Sequence, residues 1–207
     1  MLTKITRELK VLNIFKMYFL LCNKDLTKQI RTHGLLLKRD GGTFMADIRL
    51  VRVDFRLMHG QVIAAWMNQV DGNAIMIIND QLAGDSFMKN VYKMAAPKGV
   101  KVSIFTLEKA MEKIRSEEYT TGKQLIVLFK SVSDAKKAFD KGFPMKELQI
   151  GGLGSGNDRV QISNQIYLNK SDTDKLMELD GKGVKVYLQA VPKEAAIPIS
   201  KAASKVV

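Results

Sequence analysis

Three polar side chains and a glycine follow one predicted strand closely enough to form a reactive loop. Residues 48–53 alternate β-branched and charged side chains, which predicts a strand. Asp54, Arg56 and His59 fall within the next six positions, and Gly60 follows them. An acid, a guanidinium and an imidazole in one loop could support acid–base or nucleophilic chemistry at neutral pH. No other histidine follows His59 in the chain, so we expect such chemistry to centre on it.

Short apolar runs alternate with helical patterns through the rest of the chain, which is typical of βαβ units. We predict strands at 48–53, 74–78, 101–105, 124–129, 147–150 and 184–188, with 162–168 as a further candidate. We predict helices at 61–70, 85–96, 107–118, 133–141 and 172–179. The expected fold is a single α/β domain with a mostly parallel sheet of about six or seven strands and helices on both faces.

Several polar residues and glycines should gather where the predicted strands end. In a parallel sheet, ligands bind beyond the carboxyl ends of the strands, where helix N-termini offer free N–H groups. Asn79 and Asp80 follow the second strand, and Gly151 and Gly152 open the run GGLGSG after the fifth. Together with the His59 loop, this edge suits an anion. The GGLGSG run lacks the lysine of a Walker motif, so a phosphate cradle and a flexible turn both stay open.

Composition excludes several classes of function. The net charge is +12, but the first 44 residues hold nine Lys/Arg against three Asp/Glu, so half of the excess lies there. The remainder has no basic stripe interleaved with aromatics, which argues against nucleic acid as a partner. The single cysteine, Cys22, rules out an internal disulfide and a thiolate metal cluster, and we expect no metal site. A cytoplasmic location is the simplest interpretation.

The first 44 residues differ from the rest of the chain. Their apolar run, 11–22, is shorter than the roughly 20 residues of a membrane span. We place a boundary at 44/45, with a domain at 45–207, and expect translation to start naturally at Met45. The codons for Asp40-Gly41-Gly42 can contain a purine-rich GGAGG, which resembles a ribosome-binding site at a suitable distance. The alternative is an amphipathic helix that tethers the domain to a membrane.

The residues around His59 resemble a known signature. The run RVDFRLMHGQV, residues 52–62, resembles the active loop of Enzyme IIB components of the bacterial phosphotransferase system, in the mannose/fructose/sorbose family. The similarity continues through IIND (77–80), KMAAPKGV (93–100) and IGG (150–152), and covers roughly 45–200. Phe55, where many members have a second acid, and Met58, in place of isoleucine, depart from the pattern.

The resemblance implies a function and a role for each residue of the loop. His59 would accept a phosphoryl group on its δ nitrogen from the phosphohistidine of an Enzyme IIA protein or domain. It would pass the group to a sugar imported by the membrane components IIC and IID, without a cofactor and at the cytoplasmic side of the transporter. Arg56 would bind the phosphoryl oxygens, and Asp54 would accept the other ring N–H of His59. Main-chain N–H groups near Gly60 and Gln61 would bind the phosphate.

Two other classes of function stay open at this point. The first is a non-catalytic module that binds phosphorylated metabolites, in which His59 and Arg56 only hold a ligand. The second is a nucleic-acid-associated protein that uses the basic charge balance. The identity of the sugar and the formation of a homodimer are also left open by the sequence.

Overall fold

The computed structural model describes residues 45–206, which form nine strands and eight helices. The predictions for residues 1–44, which include Cys22 and the upstream codons, lie outside the described residues. Met45, the predicted start of translation, is the first described residue. The strands are β1 (Asp47–Asp54), β2 (Ala74–Ile78), β3 (Lys101–Phe105), β4 (Gln124–Phe129), β5 (Glu147–Gly152), β6 (Val160–Ser163), β7 (Ile166–Leu168), β8 (Lys185–Leu188) and β9 (Ile197–Pro198).

Seven of these strands form one sheet in the order β3-β2-β4-β1-β5-β8-β9. Neighbouring strands are parallel except at the edge, where β9 pairs antiparallel with β8. The two remaining strands, β6 and β7, form a separate antiparallel hairpin. Every residue of β2 is buried, as expected for a strand of a parallel sheet that helices cover on both faces. The predicted fold class is confirmed.

Helices cover the two faces of the sheet in two groups. The helices are α1 (Gly60–Gln69), α2 (Asp80–Gly84), α3 (Ser86–Met94), α4 (Leu107–Lys113), α5 (Glu117–Thr120), α6 (Val132–Asp140), α7 (Lys170–Gly181) and α8 (Ile199–Ala203). Side chains of α1 pack with Leu50, Ile75 and Leu128 in one apolar cluster. Those of α4 to α8 pack with Val53, Val127 and other residues in a larger cluster on the opposite face.

Two helices begin at residues whose side chains cap them. The side chain of Asn79 accepts a hydrogen bond from the N–H of Leu82 at the start of α2, and Ser131 does the same for Asp134 in α6. Such caps satisfy one of the backbone donors that a helix start leaves free. Within residues 45–206, none of the helices combines the length and the hydrophobicity that crossing a bilayer requires.

Some predicted boundaries were wrong, and the reasons are local. The candidate strand 162–168 is the hairpin of β6 and β7, because Asn164 and Gln165 form a turn within it. The predicted helix 107–118 is two helices, since α4 ends at Lys113 and Ser116 occupies the cap position of α5. The short elements α2, β9 and α8 were not predicted.

The loop after β1 lies where the helices that connect the strands change from one face of the sheet to the other. The chain leaves β1 through α1 on one face of the sheet, whereas α6 and α7, which follow the neighbouring strands β4 and β5, pack on the other face. A crevice forms beyond the strand ends at such a reversal, and ligands of parallel α/β sheets bind there. Residues 55–59 therefore occupy the position where this fold favours a binding site.

Candidate functional site

The loop from β1 to α1 is short and is anchored by apolar side chains. Leu57 and Met58 are buried, at 3 % and 6 % exposure. The N–H of Leu57 donates to the carbonyl of Asp54 at 2.9 Å, and Leu57 has a φ of 56°, a region that non-glycine residues rarely adopt. The loop thus turns sharply while two side chains point into the core. His59 is only half-buried at the end of this turn.

His59 occupies the N-cap position of α1 without capping it. Its backbone is extended, with φ −136° and ψ 123°, and its side chain makes no cap hydrogen bond. Gly60 begins the helix at a φ of 39°, and a Cβ there would meet open space, so backbone conformation rather than crowding favours glycine. Gln61 follows in the first turn of α1. The predicted loop residues His59, Gly60 and Gln61 are therefore consecutive at a helix N-terminus.

Asp54 is the centre of a buried ionic network at the end of β1. Its carboxylate accepts from Arg52 Nη2 at 3.0 Å, and from the backbone N–H and the Nε of Arg56 at 3.1 and 3.2 Å. Arg56 Nη2 also donates to Gln165 Oε1, at 2.6 Å. The Asp54 side chain is 1 % exposed and that of Arg56 27 %. The network therefore fixes Arg56 on two sides and leaves part of its guanidinium open to solvent.

Asp54 does not hydrogen-bond to His59 in the described structure. The expected bond from the imidazole N–H to this carboxylate is absent, because Asp54 accepts from Arg52 and Arg56 instead. Desolvation lowers the pKa of His59, and the positive charge of Arg56 lowers it further, while the charge of Asp54 opposes both effects. The imidazole is consequently held in its neutral, nucleophilic form near neutral pH.

Gly151 and Gly152 border the ionic network. Both are buried at the end of β5, directly beside β1. A Cβ on Gly151 would lie 1.7 Å from Cζ of Arg52, and one on Gly152 would lie 2.8 Å from Oδ1 of Asp54. The absence of side chains at these positions makes room for the two charged groups. The structure therefore gives a packing reason for glycine at both positions, and a phosphate cradle formed by them stays a prediction.

Asn79 and Asp80 have structural partners away from the His59 loop. They follow β2, which β4 separates from β1 in the sheet. Asn79 caps α2, while Asp80 accepts from the backbone N–H of Leu107 at 3.0 Å and pairs with Lys137 at 3.2 Å. The backbone bond to Leu107 is the main cause of a lowered Asp80 pKa. The structure does not bring these two residues together with Arg56.

Sequence reasoning missed the contributions of Arg52 and Gln165. Arg52 was noted only as one of the charged residues that alternate with β-branched ones in the first strand, yet it is 1 % exposed. Its position in the 52–62 signature was the available signal. Gln165 lies in the turn of the β6–β7 hairpin, more than one hundred residues from Arg56, and no local pattern marks it. Within the described range, no three His, Cys, Asp or Glu side chains converge in a way that could hold a metal ion.

Comparisons with known proteins assign the chain to a family. The family model described as PTS system sorbose subfamily IIB component matches residues 48–206. The chain is 30 % identical over 152 residues to the fructose-specific EIIB component of Bacillus subtilis, covering 73 % of this chain and 93 % of that one.

Two further relatives extend this comparison. The crystal structure of manxB from Thermoanaerobacter tengcongensis superposes with a TM-score of 0.72 at 38 % identity, covering 78 % of this chain and 98 % of the other. The mannose-specific EIIAB component of Escherichia coli is 23 % identical over 159 residues, which cover 77 % of this chain and 49 % of that protein. The chain therefore belongs to the sorbose subfamily of IIB components of the phosphotransferase system (PTS).

Proposed function

We propose that His59 is the residue on which this IIB component carries the phosphoryl group. One observation carries the proposal. The half-buried imidazole of His59 makes no cap hydrogen bond, and the same loop holds an arginine, Arg56, whose position is fixed by the buried Asp54 carboxylate and by Gln165. Both groups lie at the reversal point of the sheet, beside a helix N-terminus. A nucleophile, an anion-binding cation and free N–H donors are the groups that phosphoryl transfer requires.

The first transfer takes the phosphoryl group from an Enzyme IIA. The lone pair of one ring nitrogen of His59 attacks phosphorus, and the bond from phosphorus to the IIA histidine breaks. The bonding electrons return to the IIA imidazole, so no co-reactant is needed. The lowered pKa of His59 supports this step, because a neutral imidazole has the free lone pair that attack requires.

The second transfer delivers the group to the sugar. A sugar hydroxyl oxygen attacks phosphorus, the bond to His59 breaks, and the imidazole recovers its lone pair while the hydroxyl proton leaves to solvent or a base. The transition state is loose, with charge on the three equatorial oxygens. Arg56 offers donors to those oxygens, and its partners Asp54 and Gln165 limit the rotation that it would otherwise lose on binding. N–H groups of the first turn of α1, at Gly60 and Gln61, supply further donors.

The partners follow from the family and the relatives. The name of the mannose-specific EIIAB protein joins an A and a B component, which supports an Enzyme IIA protein or domain as the donor for this chain. We propose that the acceptor is a sugar presented by the membrane components IIC and IID, with the chain at the cytoplasmic side of that transporter. The relatives act on fructose, sorbose, mannose or N-acetylgalactosamine, according to their names.

A two-stage transfer assay tests the proposal. The full chain is incubated with phosphorylated IIA, re-isolated, and added to membranes that contain IIC and IID together with a labelled sugar. We expect phosphorylated sugar from the wild-type chain and none from His59→Ala, which should retain the fold because the imidazole is only half-buried and makes no cap hydrogen bond. A chain that binds phosphorylated metabolites but takes up no phosphoryl group would instead be a non-catalytic binding module.

A further inference from the structure

Arg52 is a fully buried charge that the transfer steps do not explain. The residue is 1 % exposed, and its guanidinium donates four hydrogen bonds to acceptors on three segments. Nη2 donates to Asp54 Oδ2 and to the carbonyl of Ala190, both at 3.0 Å. Nη1 donates to the carbonyl of Gln189 at 3.1 Å and to the side-chain oxygen of Gln149. One carboxylate and three neutral oxygens therefore compensate the positive charge of Arg52.

Stability alone gives a weak reason for such a group. Desolvation opposes its charge and lowers the pKa of Arg52, although Asp54 offsets part of this effect. Replacing a buried ion pair by apolar side chains of similar volume is often neutral or stabilising. Two neighbouring residues also accommodate the guanidinium of Arg52. The ring of Trp66 lies 5.5 Å from its Cζ, and Gly151 leaves the space that the guanidinium fills. Arg52 therefore calls for a functional explanation.

The carboxylate of Asp54 links Arg52 to Arg56. Asp54 Oδ1 accepts from the backbone N–H and the Nε of Arg56, while Asp54 Oδ2 accepts from Arg52 Nη2. Arg56 Nη2 also makes a long hydrogen bond of 3.5 Å to Oδ2, which it shares with Arg52. If Arg52 did not hold Oδ2, a small rotation of the carboxylate would shorten this bond and tighten the pairing of Arg56 with both oxygens. Arg56 would then lose donors that a phosphoryl group needs.

We propose that Arg52 is a positioning residue for phosphoryl transfer, which fixes the orientation of Asp54 and thereby keeps the donors of Arg56 directed at the phosphoryl group. The inference rests on the proposed role of His59 and Arg56, and extends it to a side chain that is buried beneath them. It also gives Gly151 a function, since any side chain there would displace the guanidinium of Arg52.

A glycine substitution displaces Arg52 without removing a charged group. In Gly151→Ala the new Cβ would lie within 2.2 Å of three guanidinium atoms of Arg52, so the guanidinium must move. Gly154→Ala in the same GGLGSG run is the matched control, because its nearest neighbour, a ring carbon of Phe55, lies at an ordinary 3.8 Å. Arg52→Lys is a second variant, which keeps the charge but cannot supply the planar fork that joins the four acceptors.

The decisive measurement is the rate of phosphoryl transfer from IIA per folded protein. We expect Gly151→Ala and Arg52→Lys to lower kcat on the order of 10²-fold, as for a reacting group displaced by about 1 Å, with little change in KM for phosphorylated IIA. Gly154→Ala should transfer at the wild-type rate. Wild-type kcat in both test variants, with only a loss of stability, would show that Arg52 is merely structural and would overturn the inference. If Gly151→Ala does not fold, Arg52→Lys decides.

A second readout separates this inference from the proposed function. The Nε–H of Arg56 donates to Asp54 at 3.2 Å in the wild-type chain. In the two test variants the released carboxylate should pair more tightly with Arg56, so this N–H should exchange with solvent more slowly in NMR than in the wild-type chain. This measurement needs no phosphoryl transfer. A wild-type chain that takes up no phosphoryl group from IIA would contradict the proposed function. Unchanged hydrogen exchange at Arg56 in both variants would contradict the role of Arg52.

Discussion

Replacing Asp54 by asparagine removes the negative charge between two arginines while preserving the size of the side chain. The carboxylate lies 3.0 Å from Arg52 Nη2 and 3.2 Å from Arg56 Nε, and both Asp54 and Arg52 are 1 % exposed. The variant leaves the Arg52 guanidinium buried without a counter-ion, which typically costs about 3–5 kcal/mol of unfolding free energy. At about 2–4 °C per kcal/mol for a chain of this size, we expect the Tm to fall by roughly 6–20 °C.

The same strand offers a matched control. Asp47 and Arg49 are also an acid and an arginine two positions apart in β1, and they form an ion pair of 2.8 Å. Their side chains are 52 % and 41 % exposed, so water screens the pair and solvates either partner alone. Asp47→Asn should therefore cost at most about 1 kcal/mol.

Urea unfolding of the full chain at neutral pH measures both costs. The fluorescence of Trp66, the single tryptophan, reports on the network directly, because its ring is buried next to Arg52. Linear extrapolation gives the unfolding free energy of each variant. Equal, small losses for Asp54→Asn and Asp47→Asn would refute the reasoning, since burial would then have no effect on the strength of the ion pair.

Further predictions concern the charges at and away from the site. Burial, and then Arg56, lower the pKa of His59, so the folded chain binds fewer protons than the unfolded chain; stability should decrease as the pH falls from about 6.5 through the folded pKa, and His59→Gln should remove that slope in unfolding free energies measured against pH. Arg56→Ala should slow phosphoryl transfer by on the order of 10²-fold in single-turnover kinetics and raise the pKa of His59 in an NMR titration, whereas Arg56→Lys should retain more of the rate. Glu118 contacts Lys101, Lys113 and Lys123, and hydrogen bonds from these lysines lower its pKa to about 2, so its stabilisation is present above its usual pKa and lost as the pH falls through 2. Because the Glu118 side chain is 40 % exposed, Glu118→Gln should cost at most about 1 kcal/mol in urea unfolding at neutral pH.

Elements with strong local patterns could be predicted from the sequence. The strands at 74–78, 101–105 and 124–129 agree with the structure at both ends, because each is a compact apolar run between residues that break or cap. The edge strand β9 has only two residues, one of them proline, and it forms by pairing with β8. Two residues are too few to show the alternation or the apolar run that predicts a strand.

The residues of the candidate site could be named from the sequence, but their contacts could not. The positions of His59 and Arg56 could be inferred from a strand, a loop and a family signature. The partner of Asp54 could not, because Arg52 and His59 are both close to Asp54 in sequence and only the strand geometry selects Arg52. Gly151 and Gly152 were interpreted from their loop-like composition, whereas the crowding that favours glycine there comes from side chains of the neighbouring strand.

Mapping the phosphorylated residue tests the central claim most directly. The full chain is incubated with phosphorylated IIA, digested under alkaline conditions that preserve phosphohistidine, and analysed by tandem mass spectrometry. We predict an acid-labile phosphoryl group on His59 of the wild-type chain and no label in His59→Gln. A label on any other residue, or undiminished labelling of His59→Gln, would contradict the assignment of His59 as the phosphoryl carrier.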